Sequence, residues 1–213
     1  MDIFYTLFDF LKDPLTLLSS FIAAYGTLVY IFLFIIIFME TGVVVMPLLP
    51  GDSLLFAVGL IASSTGKIDI FIIIPLLIIA ALIGDNLNYF IGKKFGDYVQ
   101  SKEKILFLKK VHIEETERFF ETNGGKTIIL ARFVPIVRTI APFVAGAGEM
   151  KYRTYLMYCI TGAIIWVTSI TTLGYFLGEI PWVKQNFEKI VLSIVIISVL
   201  PIFVKLFKQK FSK

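Results

Sequence analysis

The chain has 213 residues, of which 57% are hydrophobic and 21 are phenylalanine, with a mean hydropathy of +0.86. A soluble domain of that length cannot bury so much apolar surface, so the composition excludes an ordinary globular protein and points to an integral membrane protein. The net charge of +4 does not by itself indicate a nucleic-acid partner, because in a membrane protein the placement of charge along the chain is the better guide.

Residues 1–25 open with Met-Asp-Ile-Phe, which lacks the basic start and small-residue cleavage site of a secretory signal, so no processing is expected. Asp9, Lys12 and Asp13 interrupt the apolar run, and Asp13-Pro14 has the form of an N-cap followed by a proline at the first helical position. A short interfacial helix is predicted there. Residues 28–39 are apolar, but at about 1.5 Å per residue they reach only about 18 Å into a hydrocarbon core about 30 Å thick. Glu40 and a break containing Pro47, Pro50, Gly51 and Asp52 follow, and the chain is apolar again over residues 54–61. Residues 26–66 are therefore expected to form a re-entrant segment that turns at 42–52 and leaves on the side it came from. Residues 68–92 read as a conventional span, kinked at Pro75. Residues 93–126 mix lysines with Asp97, Glu103, Glu114, Glu115, Glu117 and Glu121, the composition of an amphipathic segment on the cytoplasmic surface. Residues 127–150 repeat the broken pattern, with Arg132 and Arg138 around Pro135 and Pro142 and an exit through Gly146 and Gly148. Conventional spans are predicted again at 155–178 and 187–207, followed by a basic cytoplasmic tail, 208–213.

A weak internal symmetry runs through this order. Tyr89-Phe90-Ile91-Gly92 closes the first conventional span and Tyr175-Phe176-Leu177-Gly178 the second, 86 positions later (175 minus 89). The same offset places Asp52 on Arg138 and Lys67 on Arg153. Lys93-Lys94 follows the first copy and Glu179-Ile180-Pro181-Trp182 the second, a charge contrast that puts the two ends on opposite sides of the membrane. The predicted fold is an all-α integral membrane protein. Two re-entrant helical hairpins, each followed by a transmembrane helix, form an inverted repeat, and a C-terminal transmembrane helix completes it.

Ionisable residues at membrane depth are costly and usually face a partner, a wet cavity or a substrate. A guanidinium offers a planar fork of donors that fits phosphate, so Arg132 and Arg138 are candidate ligands of one lipid phosphate, with Thr139 as an added hydroxyl. Carboxylates in a poorly solvated pocket hold protons more tightly, which makes Glu40 and Asp52 candidate proton carriers. The bland alternative is that these two acids simply neutralise the two arginines, or that the arginines snorkel to the interface. Asp85 and Asn88 are candidates for a cavity wall, with helix-end capping as the alternative. For Glu149, beside Lys151 and Arg153, a surface ion pair is the simpler expectation.

Glu40-Thr41-Gly42, Pro47-x-x-Pro50-Gly51-Asp52, Gly84-Asp85 with Tyr89-x-x-Gly92, and Ala131-Arg132-Phe133-x-Pro135-x-x-Arg138 leading to Ala145-Gly146 together resemble the DedA membrane-protein family. The resemblance runs over about residues 26–178 and includes Phe119-Phe120, Gly124 and Trp166. It implies a multi-pass protein of the bacterial inner membrane. Some members resemble carriers that return undecaprenyl phosphate to the cytoplasmic leaflet, others move phosphatidylethanolamine, and distant relatives are scramblases. The family's essential acids carry over to Glu40 and Asp52, the latter an aspartate where many members have glutamate, and its essential arginines to Arg132 and Arg138. The resemblance also leaves room for a homodimer.

Enzyme chemistry finds no support in the residues. The single histidine, His112, lies in the charged segment, away from any serine or acid at membrane depth, so neither a histidine-dependent phosphatase nor an intramembrane serine protease is expected. One cysteine and one histidine do not make a zinc site, and no phosphate-cradling glycine loop with its lysine is present. No catalytic residue, metal, cofactor or nucleic acid is expected. Two function classes remain: a proton-coupled transporter of an anionic lipid, and a non-catalytic membrane scaffold.

Overall fold

A computed structural model describes residues 26–42, 51–100, 104–105, 108–186, 190 and 193. The expectations for residues 1–25, for Pro47 and Pro50, for most of the span 187–207 and for the tail 208–213 lie outside those residues.

Helix α1, Leu28–Gly42, buries Val29, Leu33, Ile37, Glu40 and Thr41 on one stripe at helical spacing, while Leu28, Ile31, Phe32 and Ile35 are exposed. Helix α2, Gly51–Thr65, takes in Gly51 and Asp52, which the sequence placed in the break, and Asp52 lies in its first turn, where a negative charge suits the helix dipole. Each has 15 residues, about 22 Å of helix, and neither is long enough to cross a bilayer by itself. Gly66 ends α2 with φ +63, a conformation that costs glycine nothing.

Asp69 caps α3, Ile70–Gln100, by accepting the Phe71 N–H at 2.8 Å. This helix does not stop at Gly92 as the sequence suggested. Gly92 is internal because its bare Cα lets the Phe143 backbone approach, a packing role rather than a stop signal. Pro75 falls within the helix. Ile73, Leu77, Ala81, Asp85, Asn88 and Tyr89 share the buried face, and Phe71, Ile72, Ile79, Ile83 and Phe90 are exposed. Polar groups inside and large apolar groups outside is the arrangement a lipid solvent selects.

The segment after α3 departs from a single amphipathic helix. Lys104–Ile105 (β1) pairs antiparallel with Leu108–Lys109 (β2), a ladder too short to be a sheet in its own right, and the amphipathic helix α4 follows at Lys110–Asn123. It buries Thr116 and leaves Glu114, Glu115 and Glu121 in solvent. A 3-10 turn at Gly124–Lys126 leads into α5, Thr127–Ala131. Arg132–Val134 form the break, and α6 runs over Pro135–Ala147. Pro135 starts that helix, where a missing N–H is harmless. Pro142 corrects the expectation of a break, since it lies inside α6 and interrupts it only by having no N–H for the Arg138 carbonyl. Helix α7, Tyr152–Glu179, covers the predicted span, and α8, Pro181–Gln185, follows. Among the described residues, α3 and α7 are the helices long and apolar enough to cross a membrane.

The chain divides into two compact units. The first comprises Met1–Phe32, Pro50–Ile73 and Ile170–Lys213, and the second Leu33–Leu49 with Ile74–Ser169. Within the first, α2 meets the end of α7 through Gly59 on Thr171 and Tyr175, Gly174 on Phe56, and Gly178 on Leu60 and Ser63. Within the second, α6 meets α3 through Gly92 on Phe143 and Gly146 on Tyr89 and Lys93. In each unit the helix that follows a broken segment thus packs by bare backbone on the end of a long span.

Candidate functional site

Among the described residues, the ion pairs of Arg132 and Arg138 lie in the second unit. α1 and α3 touch backbone to backbone at Gly42 and Gly84, where a Cβ on Gly42 would stand 3.0 Å from the Gly84 Cα. That approach brings Glu40 and Thr41 of α1 against the turn of α3 that carries Asp85 and Asn88. The Asn88 amide donates to the Thr139 carbonyl at 2.7 Å and to the Thr41 carbonyl at 3.4 Å, tying α1, α3 and α6 together.

Both arginines are ion-paired. Arg138, in the first turns of α6, donates to Glu40 Oε1 at 2.5 Å, with side-chain exposures of 10% and 2%. Arg132, in the break, donates to Asp85 Oδ2 and lies 3.4 Å from the Cys159 carbonyl and 3.6 Å from its Sγ. The carboxylate bonded to Arg132 is therefore Asp85, which the sequence suggests as a cavity-wall or helix-capping residue. The break at Arg132–Val134 leaves that side chain outside both flanking helices, and Gly162 opens the slot for its stem. A Cβ at Gly162 would stand 3.2 Å from the arginine Nε. Trp166, 1% exposed, lies under both guanidiniums, at 5.6 Å for Arg132 and 5.3 Å for Arg138.

A second layer fixes Asp85. Its Oδ2 accepts the Cys159 thiol at 3.4 Å and its main-chain carbonyl accepts the Tyr155 hydroxyl at 2.9 Å. Tyr155 stacks on Tyr89 at 4.3 Å between centroids, and the Tyr89 hydroxyl bonds the Met150 carbonyl at 2.5 Å. Tyr155, Cys159, Gly162 and Trp166 fall on one face of α7. None of the four had been singled out as a site residue, although their spacing of 4, 3 and 4 positions is a visible helical stripe.

The other predicted residues are placed as follows. Thr139 is buried and offers its carbonyl to Asn88. Asn88 is wholly buried, and its Oδ1 has no hydrogen-bond partner among the described residues. Asp52 belongs to the first unit. Glu149 is exposed and adopts φ +52, so its position is set by the turn between α6 and α7. A cavity of about 420 Å³ opens between α4 and the end of α6, with Glu117 and Glu121 on its wall, and no member of the two ion pairs lines it. Among the described residues no group of three metal-ligating side chains comes together.

The family pattern of the VTT domain matches residues 49–176. The chain is similar to Protein DedA of Escherichia coli strain K12, 45% identical over 99% of this chain and 96% of the relative. It is also similar to an uncharacterised membrane protein of Mycobacterium leprae, 47% identical over 78% and 74% of the two chains. The inner membrane protein YghB of Escherichia coli strain K12 is 28% identical over 81% of this chain and 78% of its own length. No solved structure matches.

Proposed function

Since the chain belongs to the DedA family of membrane proteins, carrying its VTT domain, we propose that it is a lipid-phosphate flippase of the bacterial inner membrane. In this reading it returns undecaprenyl phosphate to the cytoplasmic leaflet at the expense of the proton gradient and catalyses no covalent chemistry. The observation that carries the reading is the pair of guanidiniums, Arg132 buried and Arg138 partly buried, each on a carboxylate and both against the Trp166 ring. Two forks held against one indole are suited to converge on a single phosphate.

Glu40 and Asp52 are the proton carriers in this scheme, Glu40 because its carboxylate is released when a phosphate takes Arg138. The inverted repeat supplies the alternating access. Its support is the parallel use of glycine crossings in the two units, α2 on α7 and α6 on α3, each pairing one repeat's broken segment with the other repeat's span. A transporter of phosphatidylethanolamine or of phospholipids in general would use the same phosphate contacts. The scaffold reading draws support from the pairing of both arginines, since a satisfied ion-pair network also serves structure alone.

Lipid extraction from the purified protein separates these readings. Enrichment of polyprenyl phosphate over bulk phospholipid, with its movement in proteoliposomes responding to an imposed pH gradient, is the expected result. Bulk phospholipid alone, moved without regard to the gradient, indicates a scramblase, and no enriched lipid with no movement leaves the scaffold.

A further inference from the structure

The buried pair Arg132–Asp85 and the partly buried pair Arg138–Glu40 of the second unit together sum to zero charge. An anionic headgroup entering among them adds negative charge in a region with little water to screen it, where an uncompensated ion is very costly. Uptake of a proton for each added negative charge removes that cost. Glu40 is one acceptor in the flippase reading. The geometry points to a second: we propose that Asp85 takes up a proton when a phosphate oxygen displaces it from Arg132. This inference rests on the lipid-phosphate reading and adds to it a carboxylate outside the acidic pair Glu40 and Asp52.

Arg132 is held by more than Asp85. Its guanidinium lies on Trp166 and near the Cys159 carbonyl, and its stem occupies the slot at Gly162. Loss of the carboxylate therefore leaves the arginine in place to receive another anion. Asp85 is held at its main chain by Tyr155 and at its carboxylate by the Cys159 thiol, so it also stays where it is while its charge state changes. One turn along the same face of α3, the buried Asn88 Oδ1 is an acceptor without a partner among the described residues. Among the described residues, the titratable and charged groups around Asp85 are Arg132 from the break, Arg138 from α6, and Tyr155 and Cys159 from α7; α1 contributes Glu40, paired to Arg138. The exchange balances: phosphate oxygen replaces carboxylate oxygen on the guanidinium, and the freed carboxylate binds one proton from solvent.

Proton uptake on binding dodecyl phosphate, measured by calorimetry of the detergent-solubilised protein in buffers of different ionisation enthalpy, tests this. Wild type should take up protons, and Asp85→Asn should still bind while taking up about one proton fewer per phosphate, with a flatter pH dependence. Equal uptake by the two proteins overturns the inference and leaves the flippase reading standing. Failure of the wild type to bind the probe overturns both. If Asp85→Asn does not fold, infrared difference spectra of protein with ¹³C-labelled aspartate in an Asp52→Asn background give the answer when compared with an added Asp85→Glu change, which removes the label from position 85. Dodecyl phosphate should then produce a protonated-carboxyl band that shifts with the label, and a spectrum without that band overturns the proposal.

Discussion

Arg132 and Arg138 do work that a lysine cannot copy. Arg132 reaches Asp85, the Cys159 carbonyl and the Trp166 face at once, and Arg138 combines Glu40 with the same indole. An ammonium keeps the charge but loses the flat fork. Arg132→Lys and Arg138→Lys should each reduce function about tenfold or more, since a charge-assisted bond is worth about 1.5–3 kcal/mol. Complementation of a strain lacking its own family members measures this, and full activity of both variants would remove the fork from the mechanism. Glu40 separates structure from coupling. As a mere counter-ion, its loss strands Arg138 and costs about 3–5 kcal/mol of stability. As a proton carrier, its neutral analogue resembles the protonated state. Glu40→Gln should therefore keep its melting temperature within about 2 °C and still bind lipid phosphate, while gradient-driven transport in vesicles disappears. A large fall in melting temperature, or transport that still follows the gradient, would exclude Glu40 as the carrier.

Helices here meet through glycine as much as through interlocked side chains. A methyl group on Gly84 would strike Thr41 and the backbone of α1, and one on Gly146 would strike the Tyr89 carbonyl. Gly84→Ala and Gly146→Ala should each lose about 1–3 kcal/mol in a thermal melt, the ordinary cost of overpacking. Gly84→Ala should also impair function, because the same contact sets Glu40 beside the turn of Asp85. The turn between α6 and α7 has the opposite defect. Glu149 sits at φ +52 without a glycine's freedom, so Glu149→Gly should stabilise by about 1 kcal/mol, and a lower melting temperature would show that its side chain contributes more than the strain costs.

For the molecule as a whole, the proposed inverted repeat requires the loop at Lys67 and the α4 segment to face opposite sides of the membrane. Single cysteines at Lys67 and Lys126, in a Cys159→Ser background that keeps a donor for Asp85, should label from opposite faces, and labelling from one face would discard the repeat. Much of this plan was legible in the chain. Composition fixes the membrane class, run length separates the long α3 and α7 from the short α1 and α2, and Glu40 and Asp85 lie on the same helical stripes as buried Ile37 and Leu77. Local patterns of period 3.6 suffice for that, because they depend only on near neighbours. Gly92 and Pro142 look like local punctuation and mislead: Gly92 serves a contact made by a distant segment, and Pro142 lies inside α6. The partners of the arginines were decided only by the tertiary structure. Arg132 meets a carboxylate 47 positions away and Arg138 one 98 positions away, choices fixed by where bare glycine backbones let helices approach and by the indole both guanidiniums share.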